Sequence, residues 1–105
     1  MPLDRLVLRS IGHSKEVILD ISIEISMYPL AEEEYKKHIW DFVEQLRKET
    51  ALRVVTNGMS TQVFGEYDLA TSTVMSAIKS VHLKTQATVF ICKIIGSDGS
   101  HLLVE

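Results

Sequence analysis

Apolar and polar positions alternate along residues 17–28, whose sequence is VILDISIEISMY. Every second side chain from Val17 to Met27 is apolar, and most of those between them are polar. A period of two with one apolar face is typical of a strand that buries one side. The pattern therefore predicts a half-buried strand, which Pro29 is expected to end.

Two later segments repeat apolar residues at the helical period. The first helix is predicted over residues 32–48, with Glu32–Glu34 in its first turn and Arg47 and Lys48 in its last. The helix dipole favours this arrangement. The second is predicted over residues 69–82, with Asp68 as its N-terminal cap.

Three further runs are typical of strands. Residues 52–56 and 60–66 flank Asn57-Gly58, a pair that strongly indicates a hairpin with a two-residue turn. Such a turn would place Val55 opposite Ser60. Residues 87–95 are almost all apolar and predict the last strand.

The predicted order is βαββαβ, which defines an α+β, ferredoxin-like fold. Its four-stranded antiparallel sheet carries two helices on one face and leaves the other face open. The first fifteen residues fit either a helical stripe or a short strand. We assign residues 1–15 to an N-terminal segment for which poor order is expected. Residues 16–105 are assigned to the ferredoxin-like ligand-binding domain.

The open face of this sheet should collect polar groups from two neighbouring strands. Cross-strand partners share a face, so the polar positions of the first strand should lie beside those of the hairpin. Carboxylates, hydroxyls, an amide and aromatic rings on one surface suit a small polar aromatic ligand. A solvated sheet face or a contact between subunits would show the same pattern.

Composition narrows the function classes. The net charge is −3 and the 11 Lys and Arg residues are scattered, which argues against nucleic-acid binding. No apolar run reaches the ~20 residues of a membrane helix. Cys92 is the single cysteine; its apolar surroundings predict a buried, inert thiol, and a reducing compartment fits. We expect a cytoplasmic protein.

The sequence shows no catalytic or metal-binding pattern. The four histidines lack ligand spacing, so we expect no metal site. No glycine-rich phosphate loop and no pairing of a nucleophile with a base is recognisable. We therefore expect neither catalysis nor a cofactor.

Two stretches resemble a known family. ISMYPL at 25–30 and TNGMSTQVFGE at 56–66 resemble the YkoF-like thiamine/hydroxymethylpyrimidine-binding family, and the resemblance extends over residues 19–95. It implies a ferredoxin-like domain that binds thiamine or hydroxymethylpyrimidine without transforming it. Some relatives carry two such domains in one chain, so a chain with one domain is expected to form a homodimer or homotetramer.

The resemblance and the open face together give one set of candidate ligand-binding residues. Of these, Gln62 and Ser60 would read the aminopyrimidine edge, Glu66 or Glu24 would accept from the amine or offset the thiazolium charge, and Phe64 or Tyr28 would stack. The full set is Glu24, Ser26, Tyr28, Asn57, Ser60, Thr61, Gln62, Phe64 and Glu66. Two other functions fit the same topology, an ACT-like regulatory module that senses another small ligand and a structural assembly subunit.

Overall fold

The computed structural model describes residues 6–11, 14–30 and 33–100. Within this part of the chain it contains five strands and two helices. Their bounds are β1 Leu6–Ile11, β2 Ser14–Pro29, α1 Tyr35–Arg47, β3 Arg53–Thr56, β4 Thr61–Glu66, α2 Tyr67–His82 and β5 Thr88–Ile95.

Four of the strands form the predicted ferredoxin-like sheet. Their order is β3-β4-β2-β5, and every neighbouring pair is antiparallel. The first strand of the predicted motif, β2, and the third, β4, lie in the centre, as the topology requires. The fold predicted from the sequence pattern is confirmed.

The N-terminal residues add a strand that the sequence pattern left open. β1 pairs with the first part of β2, from Leu6 opposite Leu19 to Ile11 opposite Ser14. Of the two readings of this segment, the strand is the one adopted in residues 6–11. Residues 1–5, 12–13 and 101–105 lie outside the described residues, and the division at residue 16 stays a prediction.

The hydrophobic core lies between the sheet and the two helices. Ile21, Ile23 and Ile25 of β2 point into it, as their alternation predicts, and each is at most 2% exposed. The ring of Phe42 on α1 meets that of Phe90 on β5, with 5.1 Å between centroids. Burying a side chain of this size stabilises the fold by about 1.5–3 kcal/mol. The helices contribute Phe42, Val43, Leu46, Ala70, Val74, Ala77, Ile78 and Val81.

The predicted helix starts need correction. α1 begins at Tyr35, so no acidic residue occupies its first turn. Glu34 is the N-cap residue, but its side chain makes no capping hydrogen bond. Glu32 lies outside the described residues. Arg47 does lie in the last turn, whereas Lys48, predicted in the same turn, is the C-cap residue that follows the helix. α2 begins at Tyr67, and its cap is Glu66 rather than Asp68: Glu66 Oε2 accepts from the backbone N–H of Leu69 at 2.9 Å. β4 runs directly into α2, which makes the last strand residue the cap.

The hairpin between β3 and β4 is wider than predicted. Thr56 pairs with Thr61, and Val55 lies opposite Gln62 rather than Ser60. Asn57 explains the difference, because its Oδ1 accepts from the backbone N–H groups of Met59 at 2.8 Å and Ser60 at 3.1 Å and so holds a four-residue loop. The register shift is two residues, an even number, so every side chain within the paired strands keeps its predicted face.

Candidate ligand site on the open face of the sheet

A polar row crosses the sheet on the face away from the helices. Glu24 on β2 lies between Gln62 on β4 and Lys93 on β5. Its chain neighbours Ile23 and Ile25 point into the core, so Glu24 points the opposite way. Three strands thus bring one carboxylate, one amide and one ammonium group side by side.

A directional chain of hydrogen bonds joins this row to the hairpin. Gln62 Nε2 donates to Ser60 Oγ at 2.7 Å, and Ser60 Oγ donates to Glu24 Oε2 at 3.0 Å. A serine hydroxyl has one proton, and a carboxylate only accepts. Because Ser60 gives its proton to Glu24, it must accept from the amide nitrogen of Gln62. The carboxylate therefore sets which way the amide faces.

The other end of the amide has no protein partner. Gln62 Oε1 is buried and accepts no hydrogen bond from the described residues. A buried acceptor left unpaired costs about 1–3 kcal/mol, so such atoms are uncommon in folded proteins. Lys93 Nζ lies 3.7 Å from Glu24 Oε1, and the Lys93 side chain is largely exposed. The two groups therefore form a long, solvent-exposed ion pair.

These side chains border a cavity of about 250 Å³. Phe64, which is 7% exposed, provides an aromatic wall, and Ile95 adds aliphatic surface. An apolar cavity with a few placed polar groups is typical of a small-molecule site. The complete lining is Ser22, Ile23, Glu24, Gln62, Phe64, Lys93, Ile95 and Gly99.

The residues that follow β5 cross the sheet face at this cavity. We call residues 96–100 the C-terminal strap. Ser22 Oγ donates to the carbonyl oxygen of Ser97 at 2.8 Å and accepts from the backbone N–H of Gly99 at 2.7 Å. The expectation of a fully open face is therefore wrong here, because the strap packs onto the sheet beside Ser22.

Four of the sequence-predicted site residues come together. Glu24, Gln62 and Phe64 line the cavity, and Ser60 connects Glu24 to Gln62. Ser26 and Tyr28 point to the same sheet face but lie farther along β2, opposite Ile91 and Val89. They are not part of the cavity lining.

The other three predicted residues make structural contacts. Thr61 is buried on the helix side, and its hydroxyl lies 2.8 Å from that of Thr56. Asn57 organises the hairpin loop and Glu66 caps α2, as described above. The structure does not bring Asn57, Thr61 or Glu66 to the cavity, and any contact of theirs with a ligand stays a prediction.

Sequence reasoning missed Ser22, Lys93 and Gly99. The signal for Lys93 was present, because it is the one charged residue in the apolar run ATVFICKII. No comparable signal marks Gly99, whose position depends on the path of the strap. Ser22 is one of the polar positions of the first strand that were expected on the open face, but it was not a candidate site residue, because its two backbone partners lie 75 and 77 residues away.

The environment of Cys92 differs from the one expected from the sequence. Cys92 is exposed rather than buried, because it lies on the edge strand β5. Partial desolvation still raises the pKa of its thiol above the ordinary value of 9.0. Among the described residues, no group of three His, Cys, Asp or Glu side chains could hold a metal ion, and no helix there has the length and hydropathy to cross a membrane.

The fold is similar to those of several solved structures. A candidate thiamine biosynthesis/salvage protein from Thermotoga maritima has a TM-score of 0.70 at 14% identity, over 81% of this chain and 96% of that one. A hypothetical protein from Methanocaldococcus jannaschii has a TM-score of 0.66 at 25% identity, over 76% and 82%. A DUF77 domain of unknown function from Bacillus cereus has a TM-score of 0.61 at 17% identity, over 78% and 80%.

These similarities lie in the fold. No protein-family model matches the sequence, and neither does any curated protein. The chain shares its architecture with a structure described in terms of thiamine biosynthesis or salvage and with a DUF77 domain.

Proposed function

We propose that this protein binds thiamine or its hydroxymethylpyrimidine moiety in the open-face cavity, without transforming it. The observation that carries the proposal is the unpaired Gln62 Oε1 at the end of the hydrogen-bond chain from Glu24. Gln62 lines the cavity, and we propose that a ligand N–H group donates to this unpaired acceptor. The exocyclic amine of an aminopyrimidine is such a donor.

The rest of the cavity suits the same ligand. The ring of Phe64 offers an apolar wall to a flat heterocycle. The volume of about 250 Å³ lies just below the ~300–1,000 Å³ of typical ligand pockets, so we assign it to the pyrimidine ring. The thiazolium of thiamine would extend outward past Glu24, whose carboxylate offsets its positive charge.

The proposal treats the chain as a carrier or buffer rather than an enzyme. The cavity offers a carboxylate, an amide and an ammonium group, and Glu24 is engaged by Ser60 and Lys93. The hydroxyl that donates to Glu24 is that of Ser60, which also accepts from Gln62 and lies outside the cavity lining, so we do not assign it the role of a nucleophile. The structural similarity to the Thermotoga maritima protein supports a link to thiamine chemistry. We place the protein in the cytoplasm.

We also propose that the protein acts as a homodimer or homotetramer. Four large side chains point to the cavity-bearing face of β2 and β5 and are 44–51% exposed: Tyr28, Val89, Ile91 and Ile95. Tyr28, Val89 and Ile91 are neighbours on this face, whereas Lys93 separates Ile91 from Ile95. An exposed apolar patch usually marks an interaction surface. The same patch is the observation that favours the alternative of a structural assembly subunit, in which the face serves contact alone.

Calorimetric titration of the purified protein separates these functions. We expect saturable binding of thiamine and of hydroxymethylpyrimidine, with a fixed stoichiometry per subunit. The matched ligand control is the 4-oxo analogue of thiamine, in which an oxygen replaces the exocyclic amine; its affinity should be about 10-fold lower or more, because Gln62 Oε1 loses its donor. Assembly without any saturable ligand would contradict the carrier function and favour the structural subunit.

A further inference from the structure

We propose that Ser22 is a positioning residue that holds the C-terminal strap in place as one wall of the ligand cavity. This role of Ser22 goes beyond the proposed function. Only the second of the two measurements below, which uses thiamine, rests on the proposed function. Ser22 lies on the central strand, whereas Ser97 and Gly99 follow the edge strand. Its hydroxyl is therefore a direct connection between the centre of the sheet and the chain that crosses its face.

One hydroxyl satisfies two backbone groups of the strap. Its proton goes to the carbonyl oxygen of Ser97 at 2.8 Å, and its lone pair receives the N–H of Gly99 at 2.7 Å. Ser22 is 5% exposed and Gly99 is also buried, so water cannot readily replace either bond. Losing the hydroxyl would leave a buried N–H unpaired, and the strap would have to move to reach water.

The position of the strap matters because Gly99 and Gln62 border the same cavity. Gly99 has no side chain and brings backbone close to the space in front of Gln62. A strap that leaves Ser22 would open this space to solvent. A ligand bound there would in turn hold the strap down, so that ligand binding and strap docking stabilise each other.

Ser76, an exposed residue of α2, supplies the control, because it is not part of the cavity lining. Ser22→Ala and Ser76→Ala remove the same hydroxyl group, but only Ser22 contacts the strap. Ser22→Thr keeps the hydroxyl and tests for rescue. If Ser22→Ala does not fold, Ser22→Cys replaces it, because a thiol donates and accepts only weakly.

The first measurement needs no ligand. Nuclear magnetic resonance follows the exchange with water of the Gln62 side-chain amide protons and of the Gly99 backbone amide, with Val63 as the reference for global unfolding. We expect Ser22→Ala to speed exchange at Gln62 and Gly99 by about 5-fold or more, while Val63 changes less. Ser76→Ala and Ser22→Thr should resemble the parent protein. Equal exchange at Gln62 in all variants would overturn the inference, whatever the ligand result.

The second measurement uses thiamine as the probe. We expect Ser22→Ala to weaken binding about 5-fold, mainly through faster dissociation, and thiamine to slow exchange across residues 96–100. Thiamine binding that is unaffected by Ser22→Ala and leaves the strap unprotected would also overturn the role of Ser22, while leaving the proposed function intact. If thiamine does not bind at all, the proposed function fails and the exchange of Gln62 alone decides on the strap.

Discussion

Ser60 donates its hydroxyl proton to Glu24 across 36 positions of sequence, with 3.0 Å between Oγ and Oε2. The bond connects the hairpin end of β4 to the centre of β2. The bond also affects Gln62. Because Ser60 has given its one proton to Glu24, it can only accept a hydrogen bond from the Gln62 amide nitrogen. The direction of one hydroxyl thereby decides which atom of the Gln62 amide remains for a ligand.

Replacing the carboxylate should weaken this control. Glu24→Gln keeps the size of the side chain but removes the charge that fixes the Ser60 proton, so the Gln62 amide can face either way. We expect the preference for thiamine over its 4-oxo analogue to fall about 10-fold, as measured by calorimetry. Glu44→Gln on the exposed side of α1 is the control, since Glu44 contacts only Arg47 in the described ion pairs. An unchanged preference in Glu24→Gln would show that Glu24 does not orient the amide.

Glu66 should matter for stability rather than for ligand affinity. Glu66→Ala removes the cap of α2, which typically costs about 0.5–2 kcal/mol of the free energy of unfolding. Asp68→Ala, in the first turn of the same helix, should cost less, because it loses only a dipole interaction of about 0.3–1 kcal/mol. Urea denaturation of both variants checks the order. If Asp68→Ala lost more of the free energy of unfolding than Glu66→Ala, Asp68 would be the cap, as the sequence pattern predicted.

Gly65 tests how tightly the sheet packs against its connection to α1. A Cβ at this position would overlap the Leu52 side chain. Gly65→Ala should therefore lower the free energy of unfolding by about 1–3 kcal/mol. Leu52 is 7% exposed, and Leu52→Ala alone should cost about 2–5 kcal/mol.

The double variant makes the cause of that loss testable. In Gly65→Ala/Leu52→Ala the added methyl group enters the space that Leu52 has left, so the total loss should be smaller than the sum of the single losses. Strict additivity in urea denaturation would mean that the two residues do not compete for the same space.

The sequence pattern predicts the central strand of this fold, but it does not predict the length of the loop that connects β3 and β4. The alternation along residues 17–28 identifies the central strand, because only one face of it is apolar. The width of the hairpin loop was not predictable from Asn57-Gly58 alone, since the side chain of Asn57 bonds to two backbone amides of the loop. The shift of two residues preserved the faces, which is why Gln62 still lies beside Glu24.

The cavity itself depends on contacts that are distant in sequence. Glu24 and Gln62 were expected on one surface because neighbouring strands share their faces. The strap was not, because the residues GSDGS resemble an ordinary turn and carry no periodic signal. Glu66 was placed on the ligand face by strand parity, but the helix that follows β4 without a loop uses its carboxylate as a cap.

The thiol of Cys92 should lose its proton at a higher pH in the folded protein than in the unfolded chain. Partial burial raises its pKa above 9.0, so the folded protein holds the proton more tightly than the unfolded chain does. Its contribution to stability is then complete below pH 9.0 and is lost as the pH rises through the folded pKa. The rate of alkylation by iodoacetamide should therefore reach its midpoint at higher pH in the folded protein than in urea. Cys92→Ser, which removes the single cysteine, is the control, and an equal or lower midpoint in the folded protein would contradict the effect of burial.

The location of the ligand is tested most directly by mapping chemical shifts while thiamine is added. We expect the largest changes at the Gln62 side-chain amide, with smaller changes at Glu24 and Phe64, and saturation at one ligand per cavity. A second groove, between α1 and the hairpin loop, is lined by Lys36, Trp40 and Gly58 and provides the internal comparison. Changes centred on the Trp40 indole, with Gln62 unaffected, would contradict the assignment of the ligand site to the open face of the sheet.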